Sequence, residues 1–184
     1  MSNRNYFLFT LCIPLLILLG MTVKPLQAVY LGEVVKLQTA PVDPRDLFYG
    51  DYVILDFEIE RLPIELLDET LANDFELVNN EYVQYKGKED ILSVYLLLEA
   101  NEEGIHEAVS ISKAVPKSGT YMKGSLYTYA SQGEELLINI PIERYYLEEN
   151  TGQQLEEDAR QGRIVATLHV YKGYPILKEV SVKR

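Results

Sequence analysis

The sequence predicts a mainly β protein, an antiparallel sandwich or barrel-like domain with two short helices, preceded by one N-terminal transmembrane helix. Three observations carry that expectation. Short runs of strand-forming residues recur at roughly 8–12-residue intervals with turn signals between them, the rhythm of an antiparallel sheet. The run Ala-Val-Ser-Ile-Ser-Lys-Ala-Val at 108–115 alternates with period two, which puts neighbouring side chains on opposite faces of a strand. No charged residue occurs between Arg4 and Lys24. Helical spacing appears in only two short segments after this stretch, which disfavours parallel α/β winding, and no repeat or low-complexity run is visible.

The 184 residues suit one domain plus an N-terminal segment: a cytoplasmic lead at 1–5, a membrane anchor or signal peptide at 6–23, and a single extracytoplasmic domain at 24–184. A hydrophobic share of 47% with 24% charged residues argues for a folded chain and against long disorder. The formal charge is −11, and residues 25–184 carry 15 basic against 28 acidic side chains. Such a domain repels phosphate backbones and anionic lipid surfaces, so no nucleic-acid partner is expected. Cys12, the only cysteine, lies in the apolar run, which leaves the domain without an intramolecular disulfide or a thiolate metal site. Leu11 stands before it where a lipid-modified cysteine needs a small residue.

The 18 residues at 6–23 would form roughly 27 Å of helix, enough to cross a bilayer core. Pro14 is tolerated there. Two fates are open: a retained single-pass anchor in the cytoplasmic membrane, or an exported soluble protein after cleavage following Leu26-Gln27-Ala28. Arg4 favours a cytoplasmic N-terminus.

Lys24-Pro25 reads as a connector and 29–39 as a first strand, with Gly32 marking a bulge or turn. A second strand is expected at 52–59. From 63 to 75, Pro63 suits a first helical turn, acids follow, and Ile64, Leu67 and Leu71 recur at helical spacing. Strand runs follow at 81–85, 92–100, 105–115, 121–129 and 136–142, with 145–147 as an extension. Asn101-Glu-Glu-Gly104 is a hairpin signal, and Gly162 would stop a short acidic helix at 153–161. The chain closes with a hairpin, 163–171 and 174–183, turning at Lys172-Gly173.

The segment 39–59 organises the rest. Pro41 and Pro44 block regular pairing, Asp43 and Asp46 suit turns, and Gly50-Asp51 is a second turn signal before Tyr52. Gly50-Asp51-Tyr52-Val53-Ile54-Leu55-Asp56-Phe57, preceded by Asp43-Pro44-Arg45-Asp46-Leu47, resembles the signature of the GDYXXLXY protein family. Phe57 stands where that pattern has Tyr, which keeps the ring and drops the hydroxyl. Residues 143–152 and 155–160 resemble a second block of the family. The resemblance implies a bacterial protein with an N-terminal membrane segment and a small extracytoplasmic domain, and no particular activity.

Signals for chemistry are weak. Ser110 and Lys113 have the Ser-x-x-Lys spacing of penicillin-recognising enzymes, with Lys117-Ser118-Gly119 mimicking their second element, but that motif is helical and this run alternates as a strand. The organising turn is also like the strand approach of type I signal peptidases, yet Pro41 occupies the place of the nucleophilic serine. Asp43, Asp46, Asp51 and Asp56 could gather around calcium, although turn and capping roles explain them more simply. His106 and His169 read as surface residues or members of a polar face. The tyrosine pairs Tyr127/Tyr129, Tyr145/Tyr146 and Tyr171/Tyr174 suit either a binding surface or ordinary strand composition. No catalytic residue, metal ligand or cofactor is expected. The reading is a membrane-anchored interaction or envelope-assembly module whose partners are the cytoplasmic membrane and another membrane or envelope protein. The alternative is a hydrolase or a ligand- or calcium-binding domain with a site that sequence does not show.

Overall fold

The computed structural model describes residues 3–40, 52–53, 56–78, 82–132, 135–142, 145–146, 158 and 161–183. The chain runs through α1 (Asn3–Leu31), β1 (Glu33–Gln38), β2 (Tyr52–Val53), β3 (Arg61–Pro63), α2 (Glu69–Ala72), β4 (Phe75–Val78) and β5 (Tyr82–Tyr85). It continues through β6 (Ile91–Ala100), β7 (His106–Ser112), β8 (Thr120–Gln132), β9 (Glu135–Asn139), β10 (Tyr145–Tyr146), β11 (Ile164–Tyr171) and β12 (Tyr174–Val182). The fold is mainly β, a nearly closed barrel-like arrangement preceded by one apolar helix.

That helix corrects two expectations. Lys24-Pro25 is no connector and 29–31 is not strand, because α1 continues through Pro25 to Leu31. Its last turns pack on β11 and β12, and Ala28 is fully buried there, so tertiary contact outweighs the local proline signal. Gly32 is the corner between helix and strand rather than a bulge: its N–H donates to the Ala28 carbonyl at 3.0 Å. A Cβ at Gly32 would lie 2.2 Å from that oxygen and 3.1 Å from the Val170 nitrogen, so only glycine fits the corner. The apolar span Thr10–Leu31 is long enough to cross a membrane or to act as a signal sequence.

Two antiparallel sheets form the body. One has the order β1-β11-β12, and the other the order β3-β9-β8-β6-β7. In β6 the period-two pattern turns Leu92, Val94, Leu96 and Leu98 inward. They meet Val35 and Leu37 of β1 and Ala166, Leu168 and Val170 of β11 in one continuous core. The hairpin expected between β6 and β7 forms because Asn101 Oδ1 accepts from the Glu103 and Ile105 N–H groups, each at 3.0 Å, with Gly104 at φ 75°. Lys172 and Gly173, at φ 48° and 79°, make the tight turn between β11 and β12, where two-residue hairpins demand positive φ at both positions.

Two further elements differ from expectation. The strand anticipated at 52–59 is strand at Tyr52–Val53 and a 3-10 turn at Glu58–Glu60, because the Glu60 carboxylate accepts the Phe57 N–H at 3.1 Å and tightens the chain. The helix anticipated at 63–75 divides into β3, a 3-10 turn at Ile64–Leu66, and α2. Pro63 adopts extended backbone and Leu67 bridges to Ile111. Helix begins only where the Asp68 side chain accepts the Leu71 N–H at 2.8 Å. Asp158 is helical, while the rest of the short helix expected at 153–161 lies outside the described residues except for Gln161, which is in a turn.

The sheets are tied to each other at two places. On one side the Lys123 N–H donates to the Gly173 carbonyl at 2.9 Å, tying β8 to the hairpin turn. On the other, β1 approaches β7, and the Lys36 N–H donates to His106 Nδ1 at 3.2 Å. A side-chain ring stands there in place of a ladder bond.

Candidate functional site

The two ends of the Gly-Asp-Tyr segment are bonded to each other. Ala40 donates its N–H to the Asp56 carbonyl at 2.8 Å, and Thr39 and Phe57 form an antiparallel bridge. Thr39 is buried and its hydroxyl donates to the Ile164 carbonyl at 3.0 Å, which fastens this base to β11. Phe57 is 3% exposed and belongs to the core, so the ring serves packing. Tyr52 lies in β2, which pairs with β10 through Tyr146↔Tyr52 and Tyr145↔Val53. The fold thus brings the two blocks of the resemblance together across more than 90 residues of sequence, a pairing with no local signal. Asp43, Pro44, Arg45, Asp46, Leu47, Gly50, Asp51 and Leu55 lie outside the described residues.

Beside this base is a groove of about 340 Å³ at the unclosed seam, between β1, the turn at Glu58–Glu60, β3 and β7. Its floor is apolar, from Leu37, Ile59, Leu62, Leu66 and Ile105, and its rim is polar, from Gln38, Glu58, His106 and Glu107. The rim is held from within the fold. Gln38 Nε2 donates to the Ile164 carbonyl at 3.0 Å. His106 accepts through Nδ1, so the proton of its neutral ring sits on Nε2, and burial pushes its pKa below the usual range. Glu60, behind the groove, has its carboxyl pKa raised by burial, opposed by the N–H groups of Phe57 and Ile140.

No serine, threonine or cysteine among the described residues lines this groove. Among the described residues no group of three His, Cys, Asp or Glu side chains could hold a metal ion. The arrangement offers an apolar trough with a hydrogen-bonding rim.

The remaining candidates disperse. Ser110 lies in β7, paired with Leu97, and Lys113 lies beyond its end, bound to Asp74 and 5.5 Å above the Tyr85 ring. The histidines are not free surface residues: His106 takes the Lys36 N–H, and His169, partly buried, donates from Nδ1 to the Val29 carbonyl at 3.0 Å. Each ties side chain to backbone over 70 or more positions, which no sequence spacing announces. Tyr171 and Tyr174 face each other across the final hairpin.

The family model for GDYXXLXY proteins matches residues 14–180, and the chain belongs to that family. No curated protein and no solved structure matches it.

Proposed function

We propose that this member of the GDYXXLXY family is a non-enzymatic interaction module, held by α1 in the cytoplasmic membrane with its domain on the extracytoplasmic side. Its partner is an extended segment of another membrane or envelope protein. The groove at the unclosed seam carries this reading. Among the described residues β1 and β7 each have a single strand neighbour, so the trough runs between two sheet edges, and an apolar floor below backbone edges suits an extended segment with alternating apolar side chains. The basic nitrogen of His106, Nδ1, already accepts the Lys36 N–H and Nε2 carries the proton, which favours binding over proton abstraction. Arg4 ahead of the apolar span supports a cytoplasmic N-terminus, with Lys24 on the other flank weakening the bias.

Site-specific photo-crosslinking in the native cell tests this. A photoreactive residue at Glu107, on the groove rim, should capture a membrane or envelope protein that one at Glu179, on β12, does not. An added Ala108→Arg change should abolish capture. Identical products at both positions, or capture undisturbed by Ala108→Arg, would remove the groove as the binding surface.

A further inference from the structure

A second cleft, of about 230 Å³, lies where α1 meets the β11–β12 turn. Lys24 of α1, Lys123 of β8 and Lys172 of the turn line it together with Tyr171 and Tyr174, and among the described residues its lining includes no carboxylate. In a chain of net charge −11, three lysines around one cleft reverse the local sign. Other lysines are paired with acids, Lys113 with Asp74 and Lys183 with Glu103. Among the described residues no carboxylate pairs with Lys24, Lys123 or Lys172; the Lys172 ammonium instead sits 5.4 Å over the Tyr171 ring.

The backbone around the cleft is firmly placed. The Lys123 N–H bonds the Gly173 carbonyl, and a Cβ at Gly173 would lie 3.0 Å from the Tyr121 ring. The level of the cleft along α1 is equally defined. The charge-free stretch ends at Lys24, whereas Ala28 is fully buried against the sheet and Val29 gives its carbonyl to His169. With α1 in a bilayer, the hydrocarbon boundary falls near Lys24, and the cleft opens in the headgroup layer. Lysine and tyrosine are the side chains that suit that layer, with apolar stems or rings below and polar tips above.

Resting on the reading of α1 as a membrane helix, we infer that this cleft binds a phosphate-bearing anion, supplied by an anionic phospholipid headgroup. The net charge keeps the rest of the domain off an anionic surface, and the cleft is where that repulsion is reversed.

The full-length protein, reconstituted in nanodiscs of phosphatidylcholine with a minor fraction of phosphatidylglycerol, tests it by native mass spectrometry of the lipid retained on release. Phosphatidylglycerol should be retained over phosphatidylcholine by about tenfold relative to its share of the bilayer. The triple variant Lys24→Gln, Lys123→Gln, Lys172→Gln should lose that preference. Arginine at the same three positions should keep it, as should glutamine at Lys88, Lys117 and Lys178. In discs of phosphatidylcholine alone, a saturable rise in Tm with inorganic phosphate, seen in the wild type and not the glutamine triple, without lipid preference, would keep the site and assign it a soluble phosphate. A wild type with neither preference nor phosphate response, or a preference that survives the glutamine triple, overturns the proposal. A chain that does not stay in the disc would defeat the membrane reading of α1, and the phosphate titration on the free protein would then decide the cleft by itself.

Discussion

The groove at the β1–β7 seam and the cleft beside α1 are both openings between the same two sheets, yet their polar groups are used in opposite ways. At the groove, His106, Gln38 and the nearby Glu60 are bound to backbone atoms of the fold. At the cleft, backbone bonds fasten the turn, and among the described residues no carboxylate pairs with the three lysines. A polar side chain that stands in for a missing ladder bond is structural, and its surroundings recognise by apolar shape. A charge that the fold does not use is available to a ligand. The first opening therefore suits a peptide and the second an anion.

The largest expected effect strikes the core on the groove's side. Phe57→Ala, which empties a core position beside the groove, should cost about 3–5 kcal/mol in chemical denaturation, while Phe57→Tyr tests whether the family's hydroxyl finds a partner. If Phe57→Ala were nearly neutral, the base of the motif segment would not be part of the core. Gly32→Ala would force a methyl group against the Ala28 carbonyl and should cost about 1–3 kcal/mol, loosening α1 from β11. Proteolysis at 28–33 should accelerate in that variant. Gly173→Val should cost about 1–3 kcal/mol through its positive φ and should disturb the cleft while leaving groove crosslinking intact.

The seam itself can be probed by pH. His106→Leu leaves the Lys36 N–H without its acceptor and should cost about 1–3 kcal/mol. The folded pKa of His106 lies below its ordinary 6.5, so just below pH 6.5 the unfolded chain binds more protons than the folded one. Wild-type stability should fall as pH drops through that window, and the His106→Leu variant should lack this part of the slope. Glu60 has the opposite sign. Its folded pKa lies above 4.5, so the folded chain binds more protons there and stability falls as pH rises through the folded value. Glu60→Gln keeps a carbonyl acceptor for the Phe57 N–H, turns its NH2 toward the Ile140 N–H, whose bond to Glu60 is long at 3.5 Å, and removes that pH dependence; it should shift stability by about 1 kcal/mol at neutral pH. A variant with an unchanged pH profile would show that the buried carboxyl does not titrate with folding.

Much of the architecture was legible because it is local. An apolar run announced β6 and period-two alternation β7, Asn101 and Gly104 announced their turn, and Lys172-Gly173 announced the last one. The misread segments were those in which local propensity and tertiary contact disagree. Pro25 signals an interruption, but burial of Ala28 on β11 keeps the helix intact. Ile64, Leu67 and Leu71 have helical spacing, but each is drawn inward by a different device, a 3-10 turn, a bridge to Ile111 and a capped short helix.

The candidate sites divide along the same line. The motif at Gly50-Asp51-Tyr52 and the apolar stretch before Lys24 can be read from consecutive residues, and with them the family and a helix able to span a membrane. The groove and the cleft cannot. His106 reaches Lys36 across 70 positions, and Lys24, Lys123 and Lys172 meet from three separate elements. Sequence alone determines what depends on neighbours in the chain: hydrophobic period, turn chemistry, and the length of an uncharged run. Which charges are consumed by the backbone and which face outward depends on how two sheets meet, and only the tertiary structure decided that.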